Sequence, residues 1–182
     1  MAATTTAPTA VAALPPNLSV CLGVSGSVAA VKAPELASAL LRAGASVDVV
    51  LTEPAHALLQ ASYRGAQPWA ALEALAAEHA PDGARPSRPT LRLWRDRDEW
   101  DAYRTVGEDA VLHVELAKRN QLLLIAPLCA HTLASAAMGL CGNLLSSVVR
   151  AWYYDLEEEF AAPLAAKYGR YAVNRPLCDP PL

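Results

Sequence analysis

Charge is scarce in this chain: of 182 residues only 18% are Asp, Glu, Lys or Arg, against the ~25% usual for a soluble domain. Neither sign dominates, with 15 Lys and Arg against 18 Asp and Glu and a formal net charge of −3. Without a basic excess the surface cannot gather a phosphate backbone, so nucleic acid is excluded as a partner. Cysteine is sparse too. Cys21, Cys129, Cys141 and Cys178 show no C-x-x-C spacing, which argues against a metal site or a disulfide framework and for a reducing, cytoplasmic setting. No apolar run reaches the ~18 residues of a membrane helix, so no membrane partner is expected. Residues 1–16 lack the positive charge and apolar centre of a secretory signal and read as a flexible tail, leaving 17–182 as one domain whose end turns irregular from about residue 153.

What is abundant is apolar: 53% of the residues, above the usual ~45–50%. Either the core is unusually complete or partner subunits cover part of the surface.

Asn17 to Gly23 is a short apolar run with the look of a buried strand, and from Val28 the spacing of Leu36, Leu40 and Leu41 becomes helical. Pro34 is tolerable only in a first turn, and Gly44 is a natural stop. Ala45 to Leu51 follows as a β-branched strand, so the segment is a β-α-β unit, which requires parallel strands and a right-handed crossover. The Ala/Leu-rich text from Pro54 to Ala80 predicts helix in pieces, and Pro81 to Pro89 predicts a loop. Leu91 to Trp94 predicts a short strand, Arg95 to Trp100 a charged exposed segment, and Asp109 to Arg119 a helix. Gln121 to Ala126 is continuously apolar, the pattern of a strand covered on both faces. Helices are expected at Thr132 to Leu140 and Asn143 to Trp152.

Two constellations stand out. Gly23-Val-Ser-Gly-Ser27 lies between the first strand and the first helix, where glycines allow close approach, hydroxyls donate and a helix N-terminus attracts an anion. It lacks both the G-x-G-x-x-G spacing and the Gly-Lys-Ser/Thr ending, which favours a monophosphate over a dinucleotide; the alternative is an ordinary turn with a serine cap. His113 sits among apolar residues near Glu115 and is either a proton carrier or a satisfied core histidine. Ala126 to Thr132 follows the apolar strand and lies at the same carboxyl edge, while Cys129 and Cys141 have no sequence neighbour that marks a nucleophile and are expected to pack.

In order and spacing, several segments together resemble the homo-oligomeric flavin-containing cysteine decarboxylases, in the branch that acts on phosphopantothenoylcysteine in coenzyme A biosynthesis. They are Gly23 to Ala30 with Lys32-Ala-Pro34, Asp98-Glu-Trp100, Val111 to Leu116, Ile125 to Thr132, and Gly139 to Trp152. The resemblance implies a Rossmann-like (flavodoxin-like), doubly wound parallel sheet in three αβα layers, FMN at a subunit interface, and trimers or multiples of trimers. It implies that Gly23, Ser25, Gly26 and Ser27 hold the FMN phosphate, that Thr52 lies near the cofactor, and that Pro127, Leu128, Cys129, Ala130, Thr132 and Asn143 line the ribityl and ring side. His113 takes the place of the family's catalytic histidine. The implied reaction is decarboxylation of 4′-phosphopantothenoylcysteine to 4′-phosphopantetheine through transient oxidation of the thiol-bearing carbon by flavin.

The chain departs from the family pattern at Pro163-Leu-Ala-Ala166, which has alanine in place of the asparagine of Pro-x-Met-Asn, at His131 and Gly142, and at Cys178 as counterpart of a flap cysteine. Those departures fit a partial subunit completed by a paralogue in a mixed trimer. Other implied alternatives are a regulatory relative that binds a protein phosphatase, and a peptidyl-cysteine decarboxylase that performs only the oxidative half.

Overall fold

The computed structural model describes residues 15, 17–81, 88–101, 103–106 and 108–153. Nearly all of the expected N-terminal tail, most of the Pro81 to Pro89 loop, and the segment 154–182 with its Pro163 to Ala166 motif and Cys178 lie outside the described residues.

Four parallel strands, β1 (Ser19–Val24), β2 (Ser46–Leu51), β3 (Leu91–Arg95) and β4 (Leu122–Ile125), form a sheet in the order β3-β2-β1-β4. Ser19 pairs with Ser46, Val47 with Leu91, and Val20 with Leu122. After β1 a single 3-10 turn (Val28–Lys32) runs into α1 (Ala33–Arg42), with Pro34 in its first turn and Gly44 just past its end at φ +92°. That backbone is strained for any residue with a Cβ, so glycine ends the helix here. Helices α2 (Glu53–Gln60) and α3 (Pro68–Glu78) fill the Ala/Leu-rich stretch, followed by α4 (Asp98–Asp101), α5 (Leu112–Arg119) and α6 (Ala130–Ala137). A last helical run, α7, covers 144–153.

The alternation of side chains along each strand splits the core into two layers. On one face Leu22, Val24, Val49 and Leu51 pack with Ala33, Ala37, Leu41, Ala55, Leu59 and Leu72 from α1, α2 and α3. On the other Cys21 and Val50 pack with Leu116 of α5 and Leu144, Leu145 and Val148 of α7. The fold is thus the expected three-layer, Rossmann-like α/β sheet.

Two local expectations are corrected. The continuous apolar run does form β4, but among the described residues β4 is an edge strand, and Leu122 is 44% exposed rather than enclosed. The charged stretch from Arg95 to Trp100 is not wholly exposed either. Glu99 is 7% exposed, because its carboxylate finds a partner on α5.

Candidate functional site

In an open α/β sheet a ligand crevice forms outside the carboxyl ends of neighbouring strands whose crossovers leave in opposite directions. Here that point lies between β1 and β4. Chain connections run from β1 to β2 on one side and onward to β4 on the other, so the loops after β1 and β4 part above the sheet.

Ser25 holds these loops together. Fully buried, its hydroxyl donates to the Pro127 carbonyl at 2.7 Å and accepts from the Cys129 N–H at 2.7 Å. Its own N–H also donates to the Pro127 carbonyl, at 3.2 Å. The peptide bond between Ala126 and Pro127 is cis. Ser27 caps the 3-10 turn, accepting from the Ala29 N–H at 3.4 Å. Thr52 caps α2, accepting from the Ala55 N–H at 3.4 Å. At Gly26 an added Cβ would stand 2.6 Å from Pro54 Cβ, and at Gly23 one would stand 2.5 Å from Leu145 Cδ1. Both glycines therefore permit close packing of the loop against its neighbours, Gly26 against the start of α2.

Cys129 is not a packing residue. It caps α6, with its sulfur accepting from the Thr132 N–H at 3.4 Å and lying 3.3 Å from Thr132 Oγ1. Burial pushes its pKa up, but hydrogen bonds from Ser25, Thr132 and the His131 N–H outweigh that and lower it to about 7. The Ser25 hydroxyl has one proton, and the 2.7 Å geometry gives it to Pro127, so Thr132 and the helix N–H groups are the main support for a thiolate. Cys141 is exposed and does not pack either; of the cysteines described, only Cys21 is a core thiol.

Asn143 starts α7 through a reciprocal cap: its Oδ1 accepts from the Ser146 N–H at 2.9 Å, and its N–H donates to Ser146 Oγ at 3.1 Å. Beside it Asp96, in the turn after β3, accepts from the Leu144 N–H at 2.9 Å. Burial raises the Asp96 carboxyl above the ordinary carboxylate value, and the N–H groups of Leu144 and Glu53 offset part of that rise. One carboxylate thereby ties the first turns of α2 and α7.

His113 lies on α5 and meets Glu99 of α4, with Nδ1 2.6 Å from Oε1. Its partner is not Glu115, the acidic neighbour in sequence. Glu99 and Asp96 share the segment after β3, so the tie that anchors α2 and α7 also places the carboxylate that holds the histidine. Sequence alone points to neither Asp96 nor Glu99 as a site residue, although Asp98-Glu-Trp100 is among the family-like segments. A second buried network, Asp48 with Arg119, Asn120 and Trp94, sits among the strands away from these loops.

The arrangement suits a ligand with a phosphate and a flat apolar body. The 3-10 turn and Ser27 offer donors for the first. For the second there is an exposed apolar fringe on the same loops and helices: Val28 after β1, Leu128 after β4, and Leu133, Met138 and Leu140 on and beyond α6. That donor set and fringe fit FMN.

Fold and crevice together define a doubly wound α/β protein with a switch-point site for a phosphorylated, ring-bearing ligand. A family model described as Flavoprotein matches residues 11–165, and the chain belongs to that family. It is 37% identical over 134 residues to a mouse (Mus musculus) phosphopantothenoylcysteine decarboxylase, covering 73% of this chain and 53% of the relative. It is 53% identical over 64 residues to a phosphopantothenoylcysteine decarboxylase subunit of Saccharomyces cerevisiae, covering 35% and 11%. Among solved structures, a PPC decarboxylase variant complexed with pantothenoylaminoethenethiol matches with TM-score 0.56 and 34% identity, covering 76% of this chain and 63% of that one. The chain thus spans about a tenth to about half the length of these curated relatives. The resemblance read from the motifs is borne out at the level of the family and the fold.

Proposed function

We propose that the chain binds FMN in the β1/β4 crevice and decarboxylates 4′-phosphopantothenoylcysteine to 4′-phosphopantetheine in coenzyme A biosynthesis, in the cytoplasm, with 17–182 acting as one flavin-binding domain. The observation that carries this reading is the held histidine, His113 on Glu99, joined through the post-β3 segment to a phosphate-ready crevice. It is supported by the names of relatives aligned over 73% and 35% of the chain.

In this reading the 3-10 turn, Gly23, Gly26 and Ser27 receive the phosphate, while Ser25 frames the loop because its hydroxyl is already engaged. Thr52 and Asn143 flank the ribityl chain, and Pro127, Leu128, Cys129, Ala130 and Thr132 line the ring. FMN bound there supplies reversible two-electron chemistry, so that the carbon–carbon bond to the carboxylate breaks without leaving an unstabilised carbanion. His113 moves a proton at the reacting carbon–sulfur unit. Overall CO2 leaves, a proton takes its place and no net oxidation remains. The exposed apolar residues of the fringe support assembly as a homotrimer or a multiple of trimers.

Purified protein supplied with FMN is expected to be yellow, to release CO2 from the phosphopantothenoyl substrate and to have the native mass of a trimer or its multiple. A protein that stays colourless refutes the reading. One sequence observation favours a second version: alanine at Ala166 in Pro163-Leu-Ala-Ala166, together with a yeast relative named as a subunit, fits a flavin-binding member of a mixed trimer. That version predicts activity only on co-expression with a paralogue that carries the missing asparagine and cysteine.

A further inference from the structure

Glu99 is a buried carboxylate spent on one partner. Its Oε1 lies 2.6 Å from His113 Nδ1, whereas Oε2 is buried with no hydrogen-bond partner among the described residues. An unsatisfied buried acceptor destabilises a fold, so stability alone gives little reason to keep a glutamate at this position. The imidazole differs from its partner in exposure: its side chain is 27% exposed against 6% for Glu99. With Nδ1 engaged, Nε2 is the ring nitrogen left for exchange, and no hydrogen bond to it is found among the described residues.

Resting on the decarboxylase reading above, we infer that Glu99 is the positioning residue for His113: it fixes the tautomer with the proton on Nδ1, aims the bare Nε2 at bound substrate, and stands opposite the ring when Nε2 takes the substrate's proton. A carboxylate can only accept, so the hydrogen of the 2.6 Å bond belongs to Nδ1. Two short helices hold the pair, and Glu99 is anchored from behind by its neighbour Asp96, which accepts from the first N–H of α7. A carboxylate that orients a histidine and compensates its transient charge is worth orders of magnitude in rate when the histidine is the proton carrier.

The test combines 15N NMR of the imidazole with kinetics on the FMN-loaded protein. Wild-type protein is expected to show His113 with Nδ1 protonated and Nε2 bare. Glu99→Gln keeps size and hydrogen-bonding capacity; it is expected to lose that tautomer preference, to retain flavin content and KM, and to lower kcat at least about 100-fold. Glu99→Asp, which restores the charge on a shorter stem, is expected to recover part of kcat. A wild-type spectrum with the proton on Nε2 overturns the assignment whether or not any variant folds, as does a Glu99→Gln protein with unchanged tautomer and kcat. Wild-type protein that binds FMN and shows the Nδ1 tautomer but never releases CO2, whether alone or co-expressed with a paralogue that carries the missing asparagine and cysteine, overturns the decarboxylase reading, and with it the catalytic purpose of the pair. The spectroscopic result separates that failure from the others.

Discussion

Replacing Ser25 by alanine removes one oxygen and two of the hydrogen bonds that join the loops after β1 and β4. The partners are affected unequally. Pro127 keeps the Ser25 N–H, 3.2 Å from its carbonyl, so it remains satisfied. The Cys129 N–H loses its acceptor at 2.7 Å in a part-buried position, beside a Ser25 that is itself fully buried. An orphaned buried donor costs about 1–3 kcal/mol, and the lost hydroxyl-to-carbonyl bond adds up to about 1 kcal/mol. The expected loss is therefore about 1–4 kcal/mol, or roughly 2–16 °C in Tm for a protein of this size. Denaturant unfolding at fixed FMN concentration reads the stability, and flavin titration reads the crevice, where FMN affinity is expected to fall as the Pro127–Thr132 loop loosens. A Ser25→Ala protein within 0.5 kcal/mol of wild type, with unchanged flavin affinity, would refute the claim that this serine joins the two loops.

Much of the frame was legible because it is written in local spacing. Gly44 after Leu36, Leu40 and Leu41 announced the end of α1, and the β-branched run from Ala45 to Leu51 announced β2. The loop after β1 was legible for the same reason: glycines and hydroxyls between a strand and a helix belong to the carboxyl edge of a parallel sheet. What stayed hidden depends on residues far apart in sequence. Glu99 looked like one charge among several from Arg95 to Trp100, and only the return of α5 past α4 supplies the histidine that makes burying it tolerable. Cys129 looked like filler until the loop after β4 set its N–H on Ser25, 104 residues earlier. Beside β4 the limit is of another kind. Leucines from 122 to 124 say which surroundings their side chains favour, but composition carries no information about which element covers them.

Three further perturbations probe the same structure. Gly26→Ala would push a Cβ to 2.6 Å from Pro54 Cβ; a proline ring cannot swing aside, so a loss of about 1–3 kcal/mol together with weaker flavin binding is expected, and full retention of both would show that the loop does not lean on α2. Alkylation of Cys129 is expected to follow thiolate formation with a midpoint at about pH 7; Thr132→Val, which deletes a hydroxyl 3.3 Å from the sulfur, should move that midpoint up, and an unmoved midpoint would exclude Thr132 as a support. Cys21 gives the opposite case. Burial, then the Asp48 carboxylate, raise its thiol from 9.0 to about 12, with Arg119 pulling slightly the other way. Since the unfolded chain releases this proton first, the contribution to stability is fully present below pH 9.0 and is lost as pH rises toward about 12. The slope is about 1.4 kcal/mol per pH unit inside that window. Tyrosines and lysines titrate there too, so the measurement is a difference: wild type against Cys21→Ala, unfolded in urea between pH 8 and about 10. The variant starts less stable because it leaves a small cavity in the core around Leu116 and Leu145, yet the gap between the two proteins should narrow by about 1 kcal/mol across that range, whereas a constant gap would mean that the thiol ionises as readily in the fold as in the open chain.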